Sequence, residues 1–505
     1  MALAPNSAVL RHRDRLRSLK YSTIEASFSV PMLNLTMPNL PFVIAFVLMA
    51  LGWSPSWVGL LAAMPQIGNA IQPWLSGFLQ KRHSARTIMY RSFVFSAVPW
   101  MLMPLLRWLP EWRDGLVILL VSVSTLANSV ASVAWSASIA DLVPARISGK
   151  FFARRNLIFG FWTLVAVLVS GYVVDAGKNS FDVFAGIFFV AGLARLLGLL
   201  YLSRMIFPPS VDEVQKDGAS WQQALAVLKD TNYLRFTFFI GFWGFFLGMG
   251  LPFQTVFLID VLHLPMSEVV VFGTLAGIGG LLTLQGWGSL CDRFGNKPVL
   301  YVCSVIWGLV GLITWTVTGP QFQAHLTVAF IVIGGLTAGF QLCQFNLMLK
   351  LITGNRRAGH IAVFLAVTSV LMALGPLVGG ALLAAFPDKA GELFGRPVLN
   401  YHLLFGLSMI GCLFLPVVLR AVKEDAEAQA SEVWRAMRGM RSFNPLVGVA
   451  TTAEFLFTPR GLTGLARQSW RSLRRNVREV SEVGEDIVEA SKSVAREAVD
   501  KVEKL

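Results

Sequence analysis

Two stripes of polar side chains recur at helical spacing inside otherwise apolar stretches of this chain. Asn128, Ser132 and Trp135 follow an i, i+4, i+7 rhythm, and Thr337, Gln341, Gln344 and Met348 do the same. Each set therefore shares one face of a helix. Asn34 and Asn39 flank Pro38, and Phe239, Trp243 and Gln254 lie in a glycine-rich run. Amides, hydroxyls and indoles in this mixture suit a neutral or amphipathic solute. A strongly anionic solute would call for Lys or Arg, and none stands near the middle of these four stretches. A polar residue in an apolar helix is costly and so is a functional candidate, although many such residues only bond a neighbouring helix.

Two carboxylates near the ends of apolar stretches could titrate, Glu25 and Asp260. Each also stands where an ordinary interfacial charge would sit. The apolar runs hold no clustered His, paired carboxylates or nucleophile with a base, so enzymatic chemistry is not expected. Cys291, Cys303, Cys343 and Cys412 lack the spacing of a disulfide framework or a zinc site, and no metal or other cofactor is expected.

The elements that must carry these residues follow from composition. Of 505 residues, 55% are hydrophobic and only 14% charged. Such a balance belongs to lipid, where a helix needs about 20 apolar residues to cross. Runs of that length are expected at 22–51, 55–80, 87–109, 115–141, 152–176 and 181–206. A second group follows at 233–262, 266–291, 297–318, 324–352, 358–386 and 400–421. They are continuous and lack alternation, which favours helices over barrel strands.

Lys81, Arg82, Arg86, Lys150, Arg154, Arg155, Arg293, Lys297, Arg356 and Arg357 crowd the even connections, against Arg107, Arg113, Lys178, Lys389 and Arg396 in the odd ones. The bias predicts that the even connections and both termini are cytoplasmic, in a multi-pass protein of the cell (inner) membrane. Much of the formal charge of +14 is then topological, and nucleic acid is not an expected partner. Arg11, Arg13, Arg15 and Arg17 precede no short apolar region with a cleavage site, so a signal peptide is not expected.

The long hydrophilic connection 207–232, opening on Phe207-Pro208-Pro209, divides the spans six and six. An internal repeat supports the division: Gly77-Phe78-Leu79-Gln80-Lys81-Arg82 corresponds to Gly288-Ser289-Leu290-Cys291-Asp292-Arg293, and Gly149-Lys150-Phe151-Phe152 is echoed by Gly359-His360-Ile361-Ala362. Gly288-x-x-x-Asp292-Arg293-Phe294-Gly295-Asn296-Lys297-Pro298, between spans eight and nine, resembles the signature loop of the major facilitator superfamily. Asp141-Leu142-Val143-Pro144 with Arg146 resembles that family's connection after its fourth helix. By span count and repeat the resemblance covers residues 20–420.

The resemblance implies an all-α membrane protein of twelve transmembrane helices in two six-helix bundles, facing each other across a cavity that opens alternately to each side. It places the first, fourth, seventh and tenth spans around that cavity. Asn34, Asn39, Asn128, Ser132, Trp135, Trp243, Gln254, Gln341 and Gln344 are then the candidates for solute contact. Gly77, Asp141, Gly288, Asp292, Arg293, Gly295 and Lys297 are the candidates for gating, and Glu25 and Asp260 those for coupling to an ion. Gly375-Pro376-Leu377-Val378-Gly379-Gly380 resembles a drug-antiporter signature, but it stands in span eleven rather than five and reads better as close helix packing.

The expected domains are a basic N-terminus 1–21, bundles 22–206 and 233–421, the linker 207–232 and a hydrophilic helical extension 422–505. Within that extension, Arg460, Arg467, Arg471, Arg474, Arg475 and Arg478 interleave with Leu465, Trp470, Leu473 and Val477. The pattern suits anionic lipid headgroups, and the tail could also hold a protein partner. The expected function is secondary transport of a small solute. The alternative is a transporter-like assembly factor or scaffold, which the long tail favours.

Overall fold

A computed structural model describes residues 12–143, 145–207, 227–320, 323–352, 357–393, 396–424 and 432–433. The helices are α1 His12–Thr36, α2 Pro41–Ala45, α3 Pro55–Gln80, α4 Ala85–Leu102, α5 Arg113–Leu142, α6 Ala145–Ala176 and α7 Phe181–Ser203, then α8 Thr231–Val256, α9 Met266–Phe294, α10 Asn296–Val317, α11 Leu326–Leu351, α12 Arg357–Ala385 and α13 Asn400–Leu419. An antiparallel hairpin, β1 Lys389–Leu393 with β2 Arg396–Leu399, joins the last two.

Among the described residues eleven helical segments are long and apolar enough to cross a membrane. The first is α1 running on through α2. The twelfth expected span is α3, long enough at 26 residues but less apolar, because Pro65, Gln66, Asn69, Gln72 and Pro73 interrupt it. Glutamines are tolerable there because α3 packs between α5 and α12. The expected boundary at 21/22 falls inside α1, whose helix begins ten residues earlier.

The helix pairings form two sets of the same pattern. In the first half α1 packs on α6 and α7, α4 on α5 and α7, and α3 on α5; in the second, α8 packs on α12 and α13, α10 on α11 and α13, and α9 on α11. The halves meet through α3 with α12 and α6 with α9, the same pairing read in both directions. The repeat noted in two loops is thus a repeat of the whole bundle.

Glycine sets how closely helices approach where no side chain fits. A Cβ on Gly279 would strike the Ile331 carbonyl, and one on Gly334 that of Ala276, so α9 and α11 touch backbone to backbone. Gly375 and Gly379 bring α12 against the carbonyls of Phe245 and Met249 on α8. The Gly375–Gly380 stretch is therefore a packing device, as the sequence indicated.

The two halves share one apolar core at the end of the molecule distal to the described N-terminus. Phe42, Phe46, Val58 and Leu61 of the first half lie there with Met249, Phe253, Phe257 and Val270 of the second. A separate core at the near end, including Leu19, Ile88, Phe93, Val130 and Leu202, draws on the first half alone.

The chain leaving α13 is tied down at that near end. Asn232 exchanges two bonds with the backbone of Lys423 (2.9 and 2.8 Å), and Arg235 donates to the Ala421 carbonyl. The buried Glu424 accepts from the backbone N–H of Asn296 (3.1 Å) and of Lys297 (2.7 Å), from the Asn296 side chain (3.1 Å) and from Lys350 Nζ (3.0 Å). It thereby caps α10, whose own N-cap, Gly295 at φ +88°, offers no side chain. Burial pushes the Glu424 carboxyl up, but the bonds from Lys297, Asn296 and Lys350 outweigh it and hold it below the usual carboxylate range.

A depressed folded-state pKa stabilises above the unfolded value, and that stabilisation is lost as pH falls through the folded value. Glu424→Ala should therefore cost about 1.5–3 kcal/mol at neutral pH, and its deficit against the unchanged protein should shrink as pH falls through the acid range. Thermal unfolding midpoints at neutral and acid pH check both.

Candidate solute cavity

At mid-depth, beneath the shared distal core, lies a cavity of about 240 Å3. Its walls come from both halves: Asn39, Ala62 and Gln66 from the first, and chiefly α8, α10, α11 and α12 from the second. None of its lining residues is charged. The size suits a small solute, below the roughly 300 Å3 at which pockets for drug-sized molecules begin.

Aromatic rings form one wall. Trp243 stacks on Phe340 with centroids 4.7 Å apart, and Trp307 meets Trp243 edge-on at 5.8 Å. Trp307 Nε1 donates to Thr337 Oγ1 (3.1 Å), which donates to the Ile333 carbonyl (2.7 Å). These bonds hold the indole in place while the amides of Gln341 and Gln344, one and two turns along α11, face the cavity. Asn39 reaches it because the first span breaks at Met37–Leu40. Pro38 and Pro41 each lack an N–H, so the helix cannot run through, and the interruption carries a polar residue into the interior. Both the first and seventh spans then end in a π-helical turn, Phe46–Ala50 and Phe257–Val261.

Of the nine residues expected to contact solute, the cavity gathers Asn39, Trp243, Gln341 and Gln344. The other five do not line it. Asn34 donates to the Val30 carbonyl of its own helix (3.0 Å), and Ser132 donates to that of Ser129 (2.9 Å). Asn128 is half-buried on α5, Gln254 is buried on α8, and Trp135 lies under the Arg155 guanidinium at 4.7 Å. Sequence reasoning missed Gln66, Trp307 and Phe340. The cluster Gln66, Asn69 and Gln72 on α3 was the available signal for the first.

The expected gating residues sit at the near end. Gly77 and Gly288 have open space where a Cβ would project. Asp292 and Arg293 are exposed, with Arg293 over the Phe294 ring at 5.0 Å. Lys297 Nζ reaches the Arg420 carbonyl at 3.4 Å. The carboxylate at the α10 N-terminus is Glu424. Asp141 closes α5, and its side chain lies outside the described residues, as do the arginines of 460–478.

Of the two coupling candidates, Asp260 is exposed at the distal end. Glu25 is buried on α1 between two arginines that the sequence reading did not pair with it. Arg155 Nη2 and Arg195 Nη1 each stand 3.7 Å from a carboxylate oxygen, and Ser29 donates to Oε1 at 2.5 Å. Arg195 also lies 3.8 Å over the Phe93 ring. Glu25 is thus the centre of a buried ion group and not an exposed charge. Arg195, which stands inside the apolar run 181–206 while the run's other charges, Asp182 and Arg204, stand near its ends, was legible as an intramembrane charge.

A multi-pass membrane fold of two matched bundles with a cavity between them defines a class, that of transporters, and the comparisons with known proteins agree. The family model of the Major Facilitator Superfamily matches the chain twice, over residues 27–286 and 274–478. The chain belongs to this superfamily. No curated protein matches it. Among solved structures, a point mutant of the nucleoside transporter NupG superposes with a TM-score of 0.63 at 15% identity, covering 81% of this chain and 100% of that one. A bacterial homologue of the iron transporter ferroportin in an inward-facing state gives 0.60 at 14%, over 81% and 98%. The xylose transporter XylE from E. coli in an inward open conformation gives 0.55 at 14%, over 84% and 98%.

Glu25→Gln keeps the shape but leaves two guanidinium groups buried without their counter-charge. It should cost on the order of 3–5 kcal/mol and lower the melting temperature and folded yield sharply. A shift worth less than about 0.5 kcal/mol, the scale of ordinary surface changes, would mean that the cluster is not the buried ion group described.

Proposed function

We propose that this protein is a secondary transporter carrying a small neutral or amphipathic solute by alternating access across the cell (inner) membrane. The observation that carries this reading is the lining of the cavity: both halves build it, amides and aromatic rings furnish it, and no charge enters it. An amide that gives up water without a replacement partner is costly, so the amides of Asn39, Gln66, Gln341 and Gln344 along the cavity wall favour a solute whose edge can replace water. Trp243 and Phe340 give its apolar body a surface.

The lysine and arginine bias puts both termini in the cytoplasm, and the state described is then closed to the outside. Motion between the bundles would reopen the distal core and close the near end. In this reading Gly77 and Gly288 are gating positions. Each lies far along a helix whose distal part already meets the opposite bundle, Gly77 on α3 against α12 and Gly288 on α9 against α6. Rocking would carry these two faces into contact, where their lack of a side chain would matter. Asp292, Arg293 and Lys297 would add charge to that closure. The arginine-rich segment 460–478 would rest on anionic headgroups. A peptide of that sequence should bind anionic vesicles and leave them as salt is raised, and equal binding to neutral vesicles would refute the electrostatic account.

A thermal-shift screen against solute classes identifies a ligand, since anything that binds only the folded state raises its apparent stability. Uptake of that ligand into proteoliposomes then tests transport. Asn39→Ala, Gln66→Ala, Gln341→Ala and Gln344→Ala should each weaken uptake about threefold to tenfold, the worth of one hydrogen bond, with folded yield unchanged. Normal uptake by all four would place the site elsewhere. Gly77→Val and Gly288→Val should fold normally and bind the same ligand, yet transport it slowly.

A further inference from the structure

At the distal end one carboxylate bridges the bundles. Asp175 lies in the last turn of α6, where its charge faces the negative end of its own helix dipole and gains nothing from it. Across the interface is the start of α9, whose first N–H groups have no partner within their helix. The α9 N-cap is Pro265, which supplies no capping side chain. Asp175 fills that role from the other bundle: Oδ1 accepts the Met266 N–H at 2.7 Å and Oδ2 accepts the Ser267 N–H at 2.8 Å.

One turn earlier on α6, Gly171 is packed so tightly that a Cβ would meet Val270 Cγ2 at 2.8 Å and Ser267 Cα at 3.3 Å. Gly171 and Asp175 stand on one face of α6 and engage the first turn of α9 as a unit. The glycine allows the approach and the carboxylate bonds what the approach brings within reach.

We propose that Asp175 is a gating residue, a latch that holds the distal end closed by capping the opposite bundle's helix, and that it must release the α9 N-terminus each time the transporter opens on that side. The inference rests on the alternating-access reading. Both bonds are charge-assisted and join two bodies that separate at this end, so their free energy enters the balance between the two states directly. Opening would leave the Met266 and Ser267 N–H groups and the Asp175 carboxylate to water, which returns part of what is lost and leaves the latch breakable.

The test reads conformation rather than transport. Spin labels at Ser180→Cys and Lys389→Cys, both exposed at the distal end of opposite bundles, report the distal gap in the full-length protein. The four native cysteines are buried, so labelling is directed to the introduced pair. Asp175→Asn keeps the shape and one weaker acceptor, and Asp175→Ala removes both oxygens. The population with a wide distal gap should rise in the order unchanged protein, Asn, Ala, by about tenfold for Ala, which corresponds to roughly 1.4 kcal/mol. The same distance distribution in all three overturns the latch, as does a wider gap in Asn than in Ala. A shift in the expected order without solute uptake by any variant would keep the latch and refute transport. Uptake with an unmoved gap would do the reverse.

Discussion

The distal crossing of α3 and α12, where glycines bring backbone against backbone, is the constraint on which the rest of the structure depends. Gly59 on α3 lies against the Pro376 carbonyl of α12, and a Cβ on Gly380 would meet the Ser56 carbonyl at 2.8 Å. A contact of this kind cannot compress. It fixes how near α3 and α12 stand, and so how far below them the walls diverge into a cavity. Phe42, Phe46, Phe253 and Phe257 fill the space around it and exclude water from the roof. Larger side chains at Gly59 or Gly380 would hold the halves apart and leave Gln66 without an opposite wall.

The two halves share a plan but divide the work. The second supplies nearly all the surface a solute would meet, from Trp243, Trp307, Phe340 and the α11 glutamines. The first contributes Asn39 and Gln66, and holds a buried group of Glu25, Arg155 and Arg195 away from the cavity. Two arginines about one carboxylate join α1, α6 and α7. The difference suits a rigid scaffold in one half and recognition in the other.

The fold was legible in the sequence to the level of span number and repeat, because lipid imposes a length on each helix and punishes charge within it. The exception, α3, is instructive: its glutamines and prolines weaken the apolar signal, and they are tolerated because part of its surface meets α5, α12 and the cavity. The site was legible only in part. Gln341 and Gln344 of the α11 stripe line the cavity because they follow one helical face that meets it. The α5 stripe does not line it, because periodicity says which residues share a face and not what that face meets. Glu424 and Asp175 were missed for a related reason: each caps a helix remote in sequence, and no spacing rule connects Asp175 with Met266 or Glu424 with Asn296. Arg195 stood in plain view, yet only the approach of α1 and α7 explains why it is tolerated.

The clasp at residues 420–424 has a mechanical side. Through Asn232, Arg235, Lys297, Lys350 and the α10 N-terminus, the chain leaving α13 is bolted to several helices of one half. It leaves the bundle from a fixed mount and not from a frayed helix end. A force applied to the chain beyond Glu424 would therefore be delivered to the second half as a torque about the shared distal contact. The same mount makes the exposed Lys423, its backbone held by Asn232, a suitable place to attach a probe that must turn with that half, since little of its motion would be lost in the joint.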